Sequence, residues 1–80
     1  MPPTEVTNSI RQLRFQHGEM TQQELGERVG VTRQTINAIE AGKYSPSLEV
    51  AFRMAQVFGV RVDEVFHFGH APQPGKDGVT

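Results

Sequence analysis

The chain has no cysteine, no tryptophan and a single tyrosine among its 80 residues. Without cysteine there is no disulfide framework, no thiolate zinc site and no cysteine nucleophile. That absence fits a reducing compartment, and a cytoplasmic location is expected. No apolar run approaches the ~20 residues that a membrane-spanning helix needs. The opening MPPTEV has neither a basic segment nor an apolar stretch, so a secretory signal is not expected. An excess of charge of one sign is missing too: eight Lys and Arg stand against nine Asp and Glu, for a net charge of −1. A polybasic tail is therefore excluded as the working surface, and any nucleic-acid binding must rest on a few well-placed charges. Folding at this size buries only roughly 60–65% of the surface of the open chain, too little for a deep catalytic cleft beside a regulatory domain. Paired carboxylates, a metal-ligand cluster and a glycine-rich phosphate loop are all lacking. An enzyme is not expected, nor is a cofactor or a small-molecule effector.

What is present is regular punctuation. Residues 1–6 contain two prolines and no periodicity, and read as a frayed terminus. Residues 71–80 (APQPGKDGVT) read as a flexible tail, leaving 7–70 as one domain. Gly18, Gly30, Gly42 and Gly59 each follow a helical pattern, where a left-handed residue commonly closes a helix. The starts are as legible. Asn8 or Thr7 can cap a first helix with Ile10 and Leu13 as its apolar positions and Phe15 flanking them. Thr21-Gln22-Gln23-Glu24 fits the capping box, in which the hydroxyl and the carboxylate satisfy each other's free backbone N–H groups. It opens a helix over 22–29 with Leu25 and Val29 on one face. Thr32 caps a third over 33–41, with Ile36 and Ile39 inward. Ser47 caps a fourth over 48–58, with Leu48, Ala51, Phe52, Ala55 and Phe58 at helical spacing. A short fifth covers 62–66, with Arg61 a poor cap. Val60, Val62, Phe66 and Phe68 alternate with polar residues, so 66–70 can form a strand. All five helices are too short to stand alone and must be held by packing. The expected fold is a compact, all-α, five-helix domain with a short C-terminal strand.

The run over residues 21–42, TQQELGERVGVTRQTINAIEAG, carries the functional signal. Two helices of similar length are joined at Gly30-Val31-Thr32, and so tight a turn crosses them steeply and leaves the second projecting. Gly26, in mid-helix, costs about 1 kcal/mol against alanine, and close approach of the following helix supplies the reason for it. Val31 plugs the turn into the core. Ile36 fixes the inward side of the third helix. Arg33, Gln34, Asn37 and Ala38 then lie outward, a polar face with donors suited to base edges.

These residues, with Met20 before them and Pro46-Ser47-Leu48 and Val62-Asp63-Glu64-Val65-Phe66 after them, resemble the helix-turn-helix domain of the Cro and phage-repressor type. The resemblance spans about 60 residues and is greatest to the short dimeric repressors of bacteria and phages. It implies a regulator that binds double-stranded DNA with helix 33–41 in the major groove. Arg33, Gln34, Asn37 and Ala38 match the base-reading positions. Arg pairs with guanine and Gln or Asn with adenine, each worth about 1–3 kcal/mol of discrimination, whereas Ala38 can only touch a thymine methyl. Gln22 matches a position that holds a phosphate through its side chain and the helix N-terminus. Thr32 and Lys43 match phosphate-contacting positions, and Thr21 can add a hydroxyl to its capping role. Arg14 and Glu40 match a structural ion pair between the first and third helices.

Taken alone, the polar face would be an ordinary solvated one, Lys43 a surface lysine, and Arg11, Arg28 and Arg53 solvated charges. His67 and His70 stand three apart, but no third ligand is evident and no metal site is expected. A single recognition helix reads too few base pairs for a genome, so a homodimer on a palindromic operator is implied, with half-sites ~34–36 Å apart. Val60, Val62 and Val65 are expected to complete the core, while Phe66 and Phe68 exceed what the interior needs and are expected at the dimer interface. A different class of function, an antitoxin or adaptor holding a protein partner on the same fold, is the alternative.

Overall fold

The computed structural model describes residues 4–68. In chain order the elements are strand β1 (Val6–Asn8), helices α1 (Ile10–Gln16), α2 (Gln22–Val29), α3 (Arg33–Glu40), α4 (Leu48–Phe58) and α5 (Val62–Val65), and strand β2 (Phe66–Phe68). The helices enclose one core, built on Ile10, Met20, Leu25, Val29, Ile36, Ile39, Met54, Ala55, Phe58 and Val65. Leu13, Val31, Val60 and Val62 pack against it, half-buried.

Each expected helix is present, with ends set by the local chemistry. The box at the start of α2 is complete: Thr21 Oγ1 accepts from the Glu24 N–H at 3.0 Å, and the Thr21 N–H donates to Glu24 Oε1 at 2.9 Å. Thr32 Oγ1 accepts from the Thr35 N–H and Ser47 Oγ from the Val50 N–H, capping α3 and α4 in the same way. Helix α3 ends at Glu40, with Ala41 as its C-terminal cap. The cap of α1 is Ser9, which makes no side-chain capping bond; instead Asn8 Oδ1 accepts from the Ile10 N–H at 3.1 Å. Thr7 is in β1. At α5, Glu64 makes up for Arg61, its carboxylate accepting the Arg61 N–H at 2.7 Å.

Four expectations give way. The stretch 1–6, read as frayed, is fixed from Thr4 onward. The Thr4 N–H donates to the Gly42 carbonyl, and Val6 pairs with Phe68, Thr7 with His67 and Asn8 with Phe66 in an antiparallel ladder. The C-terminal strand thus has a partner from the opposite end of the chain, and α5 stops at Val65 instead of Phe66. In α4, Leu48 and Phe52 lie at the margin of the apolar stripe and are 76% and 54% exposed; the interior takes Met54 together with Ala51, Ala55 and Phe58. Phe66, expected to be surplus to the core, is half-buried against it, at the point where β2 leaves α5. Phe68 is 75% exposed. Residues 1–3 and 69–80, including His70 and the expected tail, lie outside the described residues.

The junction of α2 and α3 is the tightest part of the fold. Gly30 takes a left-handed φ of 86°, which an L side chain rarely adopts, and its N–H closes α2 on the Gly26 carbonyl at 2.8 Å. The Val31 N–H bonds the same carbonyl at 2.9 Å, folding the chain back over Gly26. A Cβ at position 26 would stand 2.7 Å from the Val31 carbonyl oxygen, inside any real carbon–oxygen contact. Gly26→Ala should therefore destabilise the domain by about 1–3 kcal/mol despite alanine's better helix propensity. Urea unfolding measures this; an unchanged or higher midpoint would show that the turn does not rest on that glycine.

Candidate nucleic-acid interface

Burial of Ile36 and Ile39 fixes the rotation of α3 about its own axis. Arg33, Gln34 and Asn37 are consequently exposed along its outer side. Ala38 belongs to the same side by spacing but is half-buried, and its carbonyl accepts the Lys43 N–H at 3.0 Å. Lys43 itself is exposed just beyond the helix. The first turn of α2 comes beside this face. Thr21 is exposed, with its oxygen engaged in the cap and its hydroxyl hydrogen still available as a donor. Thr32, also exposed, has its hydroxyl 3.0 Å from that of Thr35.

Gln22 is the departure from expectation. It is half-buried, and its side-chain Nε2 donates to α3, to Asn37 Oδ1 at 3.3 Å and to Glu40 Oε1 at 3.2 Å. Both amide hydrogens are thereby committed to other side chains of the protein. What Gln22 can offer an anion is its main-chain N–H at the N-terminus of α2, where no carbonyl one turn back exists to accept it.

Arg14 and Glu40 meet as a two-pronged pair: Nε to Oε2 at 2.7 Å and Nη2 to Oε1 at 3.1 Å. Their side chains are only 10% and 11% exposed. The remaining guanidinium arm reaches the Met20 carbonyl at 2.8 Å, so one side chain ties α1, the approach to α2 and the end of α3 together. The Asn8 amide adds a bond to the Ile39 carbonyl at 2.9 Å, holding the far end of α3 to β1. A polar cleft of about 450 Å³ opens where α1 meets this pair of helices, with Arg11, Phe15, Gln22 and Asn37 on its walls.

Two of the other cations are already paired. Arg53 pairs with Glu49 and Arg61 with Asp63, both in exposed positions where such pairs contribute little. Among the described residues Arg33, Lys43 and Arg11 are in no ion pair; Arg33 and Lys43 stand on or just beyond α3, and Arg11 lines the cleft beside Asn37 and Glu40. Sequence reasoning missed the bonds from Gln22 to Asn37 and Glu40, from Asn8 to the end of α3, and from Thr4 to the loop that follows it. Each joins residues far apart in the chain, and no spacing rule announces such contacts.

The helix-turn-helix family profile matches residues 10–65, which takes in α1 through α5. The chain belongs to the helix-turn-helix family of the Cro and phage-repressor type. This is a family of DNA-binding transcription regulators. Among its relatives, an HTH-type transcriptional regulator of Methanocaldococcus jannaschii is 48% identical over 61 residues, covering 76% of this chain and 91% of that protein. The transcriptional repressor RstR of the cryptic phage CTXphi of Vibrio cholerae is 34% identical over 59 residues, covering 74% of this chain but 52% of RstR. A crystal structure from Bacteroides fragilis shares the fold with a TM-score of 0.67 at 22% identity, over 78% of this chain and 98% of that one.

The covered Arg14–Glu40 pair should behave as one unit. Arg14→Met or Glu40→Gln alone leaves the other group covered and short of its partner, at an expected cost of about 3–5 kcal/mol. The double variant should lose clearly less than the sum. A double-mutant cycle by urea unfolding measures the coupling; a value of zero would mean that the pair does not hold α1 to α3.

Proposed function

We propose that this helix-turn-helix regulator is a sequence-specific repressor, acting as a homodimer on a palindromic operator and blocking access to the DNA it covers. The observation that carries this reading is the outer side of α3, where Arg33, Gln34 and Asn37 stand exposed on a helix whose rotation is locked by two buried isoleucines. In this reading α3 lies in the major groove with those three side chains on base edges and Ala38 allowing close approach. Gln22 through its main-chain N–H, Thr21 and Thr32 through hydroxyls, and Lys43 through its ammonium hold the flanking phosphates. The similarity to RstR supports repression over activation. For the dimer, support comes from Phe68, exposed at the end of a two-stranded sheet, with half-buried Phe66 two residues before it on the same strand.

Few cations face the phosphates, so affinity leans on base contacts and helix N-termini. A dimer neutralising about four to six phosphates should show a log–log salt slope of roughly −4 to −5. Arg33→Ala should weaken operator binding and relax preference at one base position, whereas Lys43→Ala should weaken binding to all sequences alike. Equal losses for Arg33→Ala on operator and scrambled duplexes would remove Arg33 as a reader. Sedimentation should give a dimer at micromolar concentration and a monomer for Phe68→Asp. A wild-type monomer that stays monomeric on operator DNA would contradict the dimer.

A further inference from the structure

The hydrogen bonds behind Asn37 have a direction, and it is set at their buried end. A guanidinium can only donate and an ionised carboxylate can only accept. Arg14 holds Glu40 by two bonds, and Glu40 Oε1 accepts a further one from Gln22 at 3.2 Å. The end of the Gln22 amide turned towards Glu40 must therefore be its amino group. The second hydrogen of that group then needs an acceptor, and finds Asn37 Oδ1 at 3.3 Å. With its carbonyl end turned to Gln22 and one of that oxygen's two lone pairs engaged there, exposed Asn37 keeps both amino hydrogens for an outside partner.

We infer that Gln22 is a positioning residue that turns the amino end of Asn37 towards DNA, so that a base presenting an acceptor is favoured opposite Asn37 and cytosine is disfavoured. The inference rests on the reading of Asn37 as a base-contacting residue. In the major groove guanine offers N7 and O6, thymine O4 and adenine N7 as acceptors, while cytosine offers only its N4 amino donor. An asparagine free to turn its amide over could meet any of these. Selectivity against cytosine is thus a property of the pair, imposed on Asn37 from the ion pair through Gln22.

The test uses the full chain and duplexes selected from random DNA. Asn37→Ala identifies the base position that Asn37 governs, as the one that becomes indifferent. Wild-type protein should bind a duplex with cytosine at that position about tenfold more weakly than the selected one. Gln22→Met should reduce that ratio to about twofold or less, with discrimination at every other position retained. Any weakening of phosphate binding by Gln22→Met applies to both duplexes alike and cancels from the ratio. In the DNA-free protein, Gln22→Met should also move the Asn37 side-chain amide resonances. If Asn37→Ala erases the preference but Gln22→Met keeps the tenfold ratio, or leaves those resonances in place, the positioning role is refuted while Asn37 stands as a reader. If Asn37→Ala alters no preference, the reading of Asn37 fails and this inference fails with it.

Discussion

The carbonyl oxygen of Val31 sits where a methyl group on residue 26 would have to go, 2.7 Å from the position of its carbon. Only a glycine lets the chain fold back that closely over α2, and only that return brings α3 across α2 with its polar side outward. The left-handed turn at Gly30, the capping oxygen of Thr32 and the inward face of Ile36 and Ile39 all act downstream of this contact. They determine where α3 starts and how it is rotated, but the glycine determines that it can be there.

A helix of eight residues projecting from a small domain gains little from its own hydrogen bonds and must be held at both ends. At its start the holding comes from the packed turn. At its end it comes from polar contacts: the buried grip of Arg14 on Glu40, and the amide of Asn8 on the Ile39 carbonyl. The small sheet contributes by fixing β1 beside the loop that follows α3, where Thr4 also bonds Ser45 and Gly42. The terminal strands, accessory when taken by themselves, are therefore part of what positions the outer side of α3. Near-neutral overall charge gives this rigidity a purpose. With so little general attraction for DNA, placement of a few groups has to supply the binding.

The helices are legible in the sequence because their signals are local. Thr21 and Glu24 stand three residues apart and Gly30 closes the helix they open; Thr32 and Ser47 repeat the same capping chemistry. The site's outward face follows from the spacing of Ile36 and Ile39, and the pairing of Arg14 with Glu40 from the family resemblance. What escapes is non-local. Nothing near Val6 tells that Phe68 will pair with it. The stripe on α4 is visible, but periodicity locates its centre better than its margins, so Leu48 and Phe52 read as interior and Met54 does not stand out. Gln22 reads as a phosphate ligand from the family resemblance, whereas its side chain answers to Glu40, a residue on another helix.

The orientation of α3 on DNA is the point on which function depends, and nuclear magnetic resonance titration of the labelled protein with its selected duplex measures it directly. The expected result is that the largest amide shifts fall on α3 from Arg33 to Ala38, on the first turn of α2 and at Lys43, with α5 little changed outside any dimer contact. Shifts centred on α4 and α5, with Arg33, Gln34 and Asn37 unmoved, would contradict it.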